Sequence, residues 1–230
     1  MKFNKNFCAV AATAAALLGA GAAGAVPVVS DGVWTALDPA VGVANVSGLN
    51  TNRVSWGVPG FDRSSAFVFD GASVDAPLDG SLFALGDFTH ENFPIFPPAI
   101  QSADLGISID FVSESVNQMF NYTFELDETP NITGSCVYPG STVCPDRVTI
   151  PNASSTETVE LGGIEYVLAI VGFSTDGGNT ITDGFITEED SDNVATLYAR
   201  LVENQVPEPG VLSLIGLGLI AFGVKNRKRA

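Results

Sequence analysis

The chain has 230 residues, with 26 Asp and Glu against 10 Lys and Arg, for a formal net charge of −16. Its cations cluster at the two ends, so the stretch from Val26 to Gln205 keeps only Arg53, Arg63, Arg147 and Arg200. A domain this acidic repels nucleic acid and anionic membrane surfaces, which excludes both as partners of that stretch.

The first predicted element is a secretory signal peptide over residues 1–25. Lys2 and Lys5 precede an alanine-rich apolar run from Phe7 to Leu18, and Ala23-Gly24-Ala25 is a small-x-small cleavage site. Cleavage is expected after Ala25, with Ala20-Gly21-Ala22 as a nearby alternative. Cys8 lies at the start of the apolar run and leaves with it, and no twin arginine is present, so the Sec translocon and signal peptidase are the expected export partners.

Residues 26–205 are long enough for one domain with a sizeable core. The early strand candidates are Ala44 to Leu49, Arg53 to Val58, Ser65 to Phe69 and Phe83 to Thr89. Leu105, Ile107, Ile109 and Phe111 then alternate with small or polar residues, as do Phe120, Tyr122, Phe124 and Leu126. Such period-two patterns describe strands with one wet face, and joining the two through Val112 to Met119 makes a hairpin with both apolar faces on one side. Cys136 and Cys144 bracket a Pro139-Gly140 turn, and in an oxidising compartment they are expected to form a disulfide. Ile164 to Val171 is apolar on both faces apart from Glu165 and reads as a central strand; Ala195, Leu197, Ala199 and Leu201 make the last one. Many short strands separated by Gly, Pro, Asn and Asp turns predict an all-β fold, an antiparallel β-sandwich of jelly-roll type.

Acidic residues are densest between the last two of these strands, at Asp176, Asp183, Glu188, Glu189, Asp190 and Asp192, with no cation among them. Two readings stand: a solvated loop that helps keep an exported protein soluble, and a calcium site, since calcium takes hard oxygen ligands. Spacing there does not fit the EF-hand loop. His90 is the sole histidine and reads as a strand-end residue whose ring is held by a hydrogen bond; no Gly-x-Ser-x-Gly elbow accompanies it. Trp34 and Trp56 belong either in the sandwich core or, if exposed, under a sugar ring.

The chain closes on residues 206–230. Val206-Pro207-Glu208-Pro209 ends the folded part, because proline removes a donor and biases its predecessor away from helix. An uncharged run from Val211 to Val224 follows, then Lys225-Asn226-Arg227-Lys228-Arg229. As a helix that run would span roughly 21 Å, short of the roughly 30 Å hydrocarbon core, so it is expected to be a short and temporary membrane anchor with its cations cytoplasmic. The proline-bearing stretch, apolar helix and basic cluster, in that order, resemble the PEP-CTERM sorting signal. That resemblance implies processing by exosortase near Pro207-Glu208-Pro209 and association with exopolysaccharide or biofilm material.

The body is also similar to the choice-of-anchor K domain, over roughly Gly32 to Val202. The likeness rests on Trp34, Ser55-Trp56-Gly57, Phe88-Thr89-His90-Glu91-Asn92-Phe93-Pro94-Ile95, Phe185-Ile186-Thr187-Glu188-Glu189 and Asn193-Val194-Ala195-Thr196-Leu197-Tyr198-Ala199. It implies no catalytic residue. The expectation is a non-enzymatic protein, anchored briefly in the inner membrane through its C-terminal segment and then delivered to the outer envelope, cell surface or extracellular space. Its expected role is structural or adhesive in an exopolysaccharide matrix, with a carbohydrate-binding module, and behind it a glycoside-active enzyme, as the alternatives.

Overall fold

A strand whose every second residue is apolar has one face to bury, and two sheets of such strands bury theirs against each other. The computed structural model describes residues 24–39, 42–140 and 143–204, and these form an antiparallel β-sandwich. Strands are numbered in chain order. Edge to edge, one sheet holds β13 (Gly184–Thr187), β10 (Asp146–Thr149), β9 (Val116–Asp127), β8 (Ser102–Phe111), β1 (Ala25–Asp38) and β5 (Ser73–Pro77). The facing sheet holds β11 (Ser154–Leu161), β12 (Ile164–Ser174), β14 (Ser191–Glu203), β6 (Phe83–Asn92), β4 (Ser65–Gly71) and β2 (Arg53–Trp56). A small ribbon pairs β3 (Val58–Pro59) with β7 (Ile95–Phe96). Most of the expected signal peptide, the sorting residues Val206, Pro207, Glu208 and Pro209, and the tail anchor lie outside the described residues. Among the described residues no helix is long and apolar enough to cross a membrane.

The hairpin of β8 and β9 has the expected register. Leu105 faces Tyr122 and Ile107 faces Phe120, and all four point into the core. Its turn is tighter than expected, because Ser115 adopts a left-handed conformation at φ 54° and pairing resumes at Val116. Interior aromatics from both sheets interlock: Phe88 of β6 stacks on Phe124 of β9 with centroids 5.2 Å apart, while Trp34 of β1 meets Phe124 edge-on at 5.5 Å. A polar tether crosses the same interior, where Tyr122 donates its hydroxyl to Leu168 O at 2.8 Å.

Ala44 to Leu49 is not a strand. The segment carries left-handed residues at Asn45 and Gly48, leaves Val46 and Leu49 exposed, and makes only an isolated bridge between Ser47 and Ser55. The candidate strand Arg53 to Val58 is split at Gly57, whose φ of 87° ends β2 and begins β3. A side chain there would also strike Ile95 of β7, so the break and the ribbon both require glycine. The expected central strand is interior, paired on one side with β11 and on the other with β14.

Candidate metal centre

Three neighbouring strands of the first sheet end side by side. Arg147 pairs with Asp127 and Asp146 with Thr187, so the last residue of β9, the first of β10 and the last of β13 lie at one rim. Glu128 follows β9 directly, Asp146 opens β10, and Glu189 lies two residues past β13. One carboxylate oxygen from each falls within 4.8 Å of the other two.

The surroundings hold these side chains in place. Thr129 donates its backbone N–H to Asp146 Oδ1 at 2.7 Å, and its hydroxyl donates to Cys144 O at 3.0 Å, which couples the carboxylate to the Cys136–Cys144 disulfide. The facing sheet closes the site from behind: Asn92, last residue of β6, donates its Nδ2 to Thr187 O at 3.1 Å. The loop bearing Glu189 is clasped by Asn193, which accepts from Glu188 N–H at 2.8 Å and donates to Glu188 O at 2.9 Å. Asn131 brings its side-chain amide 2.7 Å from one oxygen of Glu189 and 3.3 Å from the other.

Asp146 is fully buried, and its Oδ2, like Glu128 Oε2, is enclosed without a hydrogen-bond partner. Burial, with the neighbouring charge of Asp146 added, raises the Glu128 carboxyl well above the usual carboxylate range. Asp146 is also raised by burial, though the Thr129 N–H works against that shift. Glu189 is pushed up to about 8, first by burial and then by the charge of Asp146. Two grooves flank the cluster. Phe61, Pro94, Val143 and Glu189 line one of about 530 Å³, and Pro98, Ile100, Glu128 and Pro130 line one of about 690 Å³.

Of the six acids expected to gather around calcium, Glu189 alone joins this cluster. Asp176 caps its own turn by accepting from Thr180 N–H at 2.9 Å and from Ser174 Oγ at 2.8 Å. Asp183 pairs with Arg147 at 3.1 Å and Asp192 with Arg63 at 3.3 Å. Glu188 and Asp190 border the groove beside Glu189. Among the described residues no other group of three metal-ligating side chains comes this close. Glu128 and Asp146 were not among the expected ligands, and no local spacing marks them, since strand pairing alone joins three positions drawn from 61 residues apart in the chain.

The other candidates resolve more simply. The disulfide expected between Cys136 and Cys144 is present. His90 is fully buried in β6, with Nδ1 2.9 Å from Thr187 Oγ1 and its ring stacked on Trp56 at 5.9 Å. Trp34 and Trp56 are both fully buried, so neither ring can receive a sugar.

Residues 205–228 match the PEP-CTERM protein-sorting motif. The chain therefore carries the signal of an exported, exosortase-processed surface protein that passes through the membrane. The match covers the tail alone and leaves residues 32–202 outside it. No curated protein matches the chain closely enough to count as a relative.

Proposed function

We propose that the chain is a non-catalytic structural or adhesive component of the extracellular matrix, held among exopolysaccharide after exosortase releases it from its tail. The observation that carries this reading is the sorting motif at 205–228 behind a single β-sandwich. A tail whose cations stay cytoplasmic presents everything before Val206 to the far side of the membrane. The resemblance of Gly32 to Val202 to the choice-of-anchor K domain supports the same role, since it implies an anchored, exported domain and no catalytic residue. Burial also argues against acid–base chemistry at His90. Its pKa is pushed down to about 3, so the ring stays neutral and out of reach of a substrate.

A secreted carbohydrate-binding module is the second reading, favoured by one ring. Phe61 is 84% exposed and lines the groove beside Glu189, where an aromatic face and carboxylates would together suit a sugar.

Fractionation of a producing culture tests the first reading. With exosortase present, the protein should partition with the matrix and be released when the exopolysaccharide is digested. Protein recovered free in the medium before digestion would overturn the matrix role. Saturable binding of a defined oligosaccharide that is lost in Phe61→Ala would select the second reading instead.

A further inference from the structure

We propose that Glu128, Asp146 and Glu189 hold one calcium ion, which ties together the ends of β9, β10 and β13. The inference does not depend on the matrix role. Calcium takes oxygen ligands at about 2.4 Å, so two ligands on opposite sides of one ion stand about 4.8 Å apart. Three oxygens mutually within 4.8 Å thus fit on a single coordination shell.

A cluster of acids alone would be a solvated surface, but this one is anchored in the interior. Asp146 is 0% exposed, and its Oδ2, enclosed in the cluster, has no donor to pair with. Asn92, also 0% exposed, donates its amide to Thr187 O at 3.1 Å. Its Oδ1 lacks a partner. A buried carboxylate stays ionised only beside a compensating positive charge. The arginines that form ion pairs place theirs on Glu91, Asp192 and Asp183. A cation from solution fills that role.

The donor set selects its type. Three carboxylates, with no histidine or thiolate among them, suit a hard ion rather than zinc or copper. Glu128 and Glu189 are only half-buried and border the two grooves, which leaves room for water to complete the seven or so ligands calcium accepts. Magnesium demands a smaller, near-octahedral shell. The mechanical consequence is local: β13 is the edge strand and β10 its neighbour, each four residues long, and the ion would pin their ends to β9.

The test uses the exported protein stripped with EDTA. Calorimetric titration with calcium chloride should show one ion per chain. At roughly a hundred times Kd, the melting midpoint should rise several degrees above that in sodium chloride of equal ionic strength. Glu189→Gln, on the accessible rim, should weaken binding at least tenfold, and Glu128→Gln provides the same reading if that variant fails to fold. A double Asp176→Asn, Asp183→Asn variant should bind as tightly as wild type. Equal midpoints in calcium and sodium would overturn the site, as would unchanged affinity in the glutamine variants. Magnesium matching calcium at equal concentration would overturn the choice of ion.

Discussion

His90 shows how one buried side chain links fold to pH. Burial disfavours the charged imidazolium and lowers the ring's pKa from 6.5 to about 3, whereas the unfolded chain leaves it near its ordinary value. The contribution of the neutral ring is therefore complete above pH 6.5. It is lost as pH falls toward 3, because the unfolded state takes up a proton that the folded state excludes. Each pH unit in that window costs up to about 1.4 kcal/mol. His90→Asn keeps a polar group beside Thr187 and removes the titration. Urea unfolding across pH 3 to 6.5 should give this variant a stability slope shallower by about one proton than wild type; identical slopes would show that the ring titrates normally. His90 is legible as the sole histidine, and its neighbours Trp56, Phe67 and Thr187 are not, since each comes from a different strand.

Elements were legible in proportion to how cleanly they alternate. The β8–β9 hairpin shows its core face in the order of its residues, because both strands bury every second side chain over most of their length. Strand β1 has the same burial alternation, but its inward positions include Ser30 and Gly32, which dilute the apolar signal. Ser30 suits the interior because the fold brings the Leu85 carbonyl and the Ala72 N–H within reach of its hydroxyl. Edge strands are fainter still: β11 carries only Ser155, Val159 and Leu161 inward among polar residues. The Cys136–Cys144 bridge acts at this scale by closing a short loop next to Asp146. With the cysteines eight positions apart, chain entropy assigns the bridge about 2 to 3 kcal/mol. The exported protein should show no alkylatable thiol before reduction, and a double Cys136→Ser, Cys144→Ser variant should lose stability of that order. Alkylation of either cysteine in most unreduced molecules would mean the loop is open in solution.

At the scale of the whole molecule, charge is segregated: acids over the sandwich, cations at the two ends. On that arrangement we expect the body to stay off anionic lipid and the tail to keep its cations cytoplasmic. The sorting motif predicts that in cells with a matching exosortase the mature protein lacks Arg227, Lys228 and Arg229. Intact mass of surface-extracted protein measures this, and a dominant species that still carries the basic cluster would rule the processing out. The same segregation leaves a crowd of carboxylates with few protein cations to answer them, which is the setting in which we propose the calcium ion.

The amino-acid order by itself determined what is encoded locally. The sorting tail is read from its sequence of proline, apolar run and basic cluster; Cys136 and Cys144 bracket one short turn; strands such as Phe120 to Leu126 reveal themselves by period. Tertiary structure alone decided which of the many acids meet. Glu128, Asp146 and Glu189 are brought to one rim by the ladder of β9, β10 and β13, and the register of that ladder is set by long-range pairing against the core. Burial was decided in the same way, for the tryptophans and for Asp146, because a residue's exposure depends on the sheet that comes to cover it and not on its neighbours along the chain.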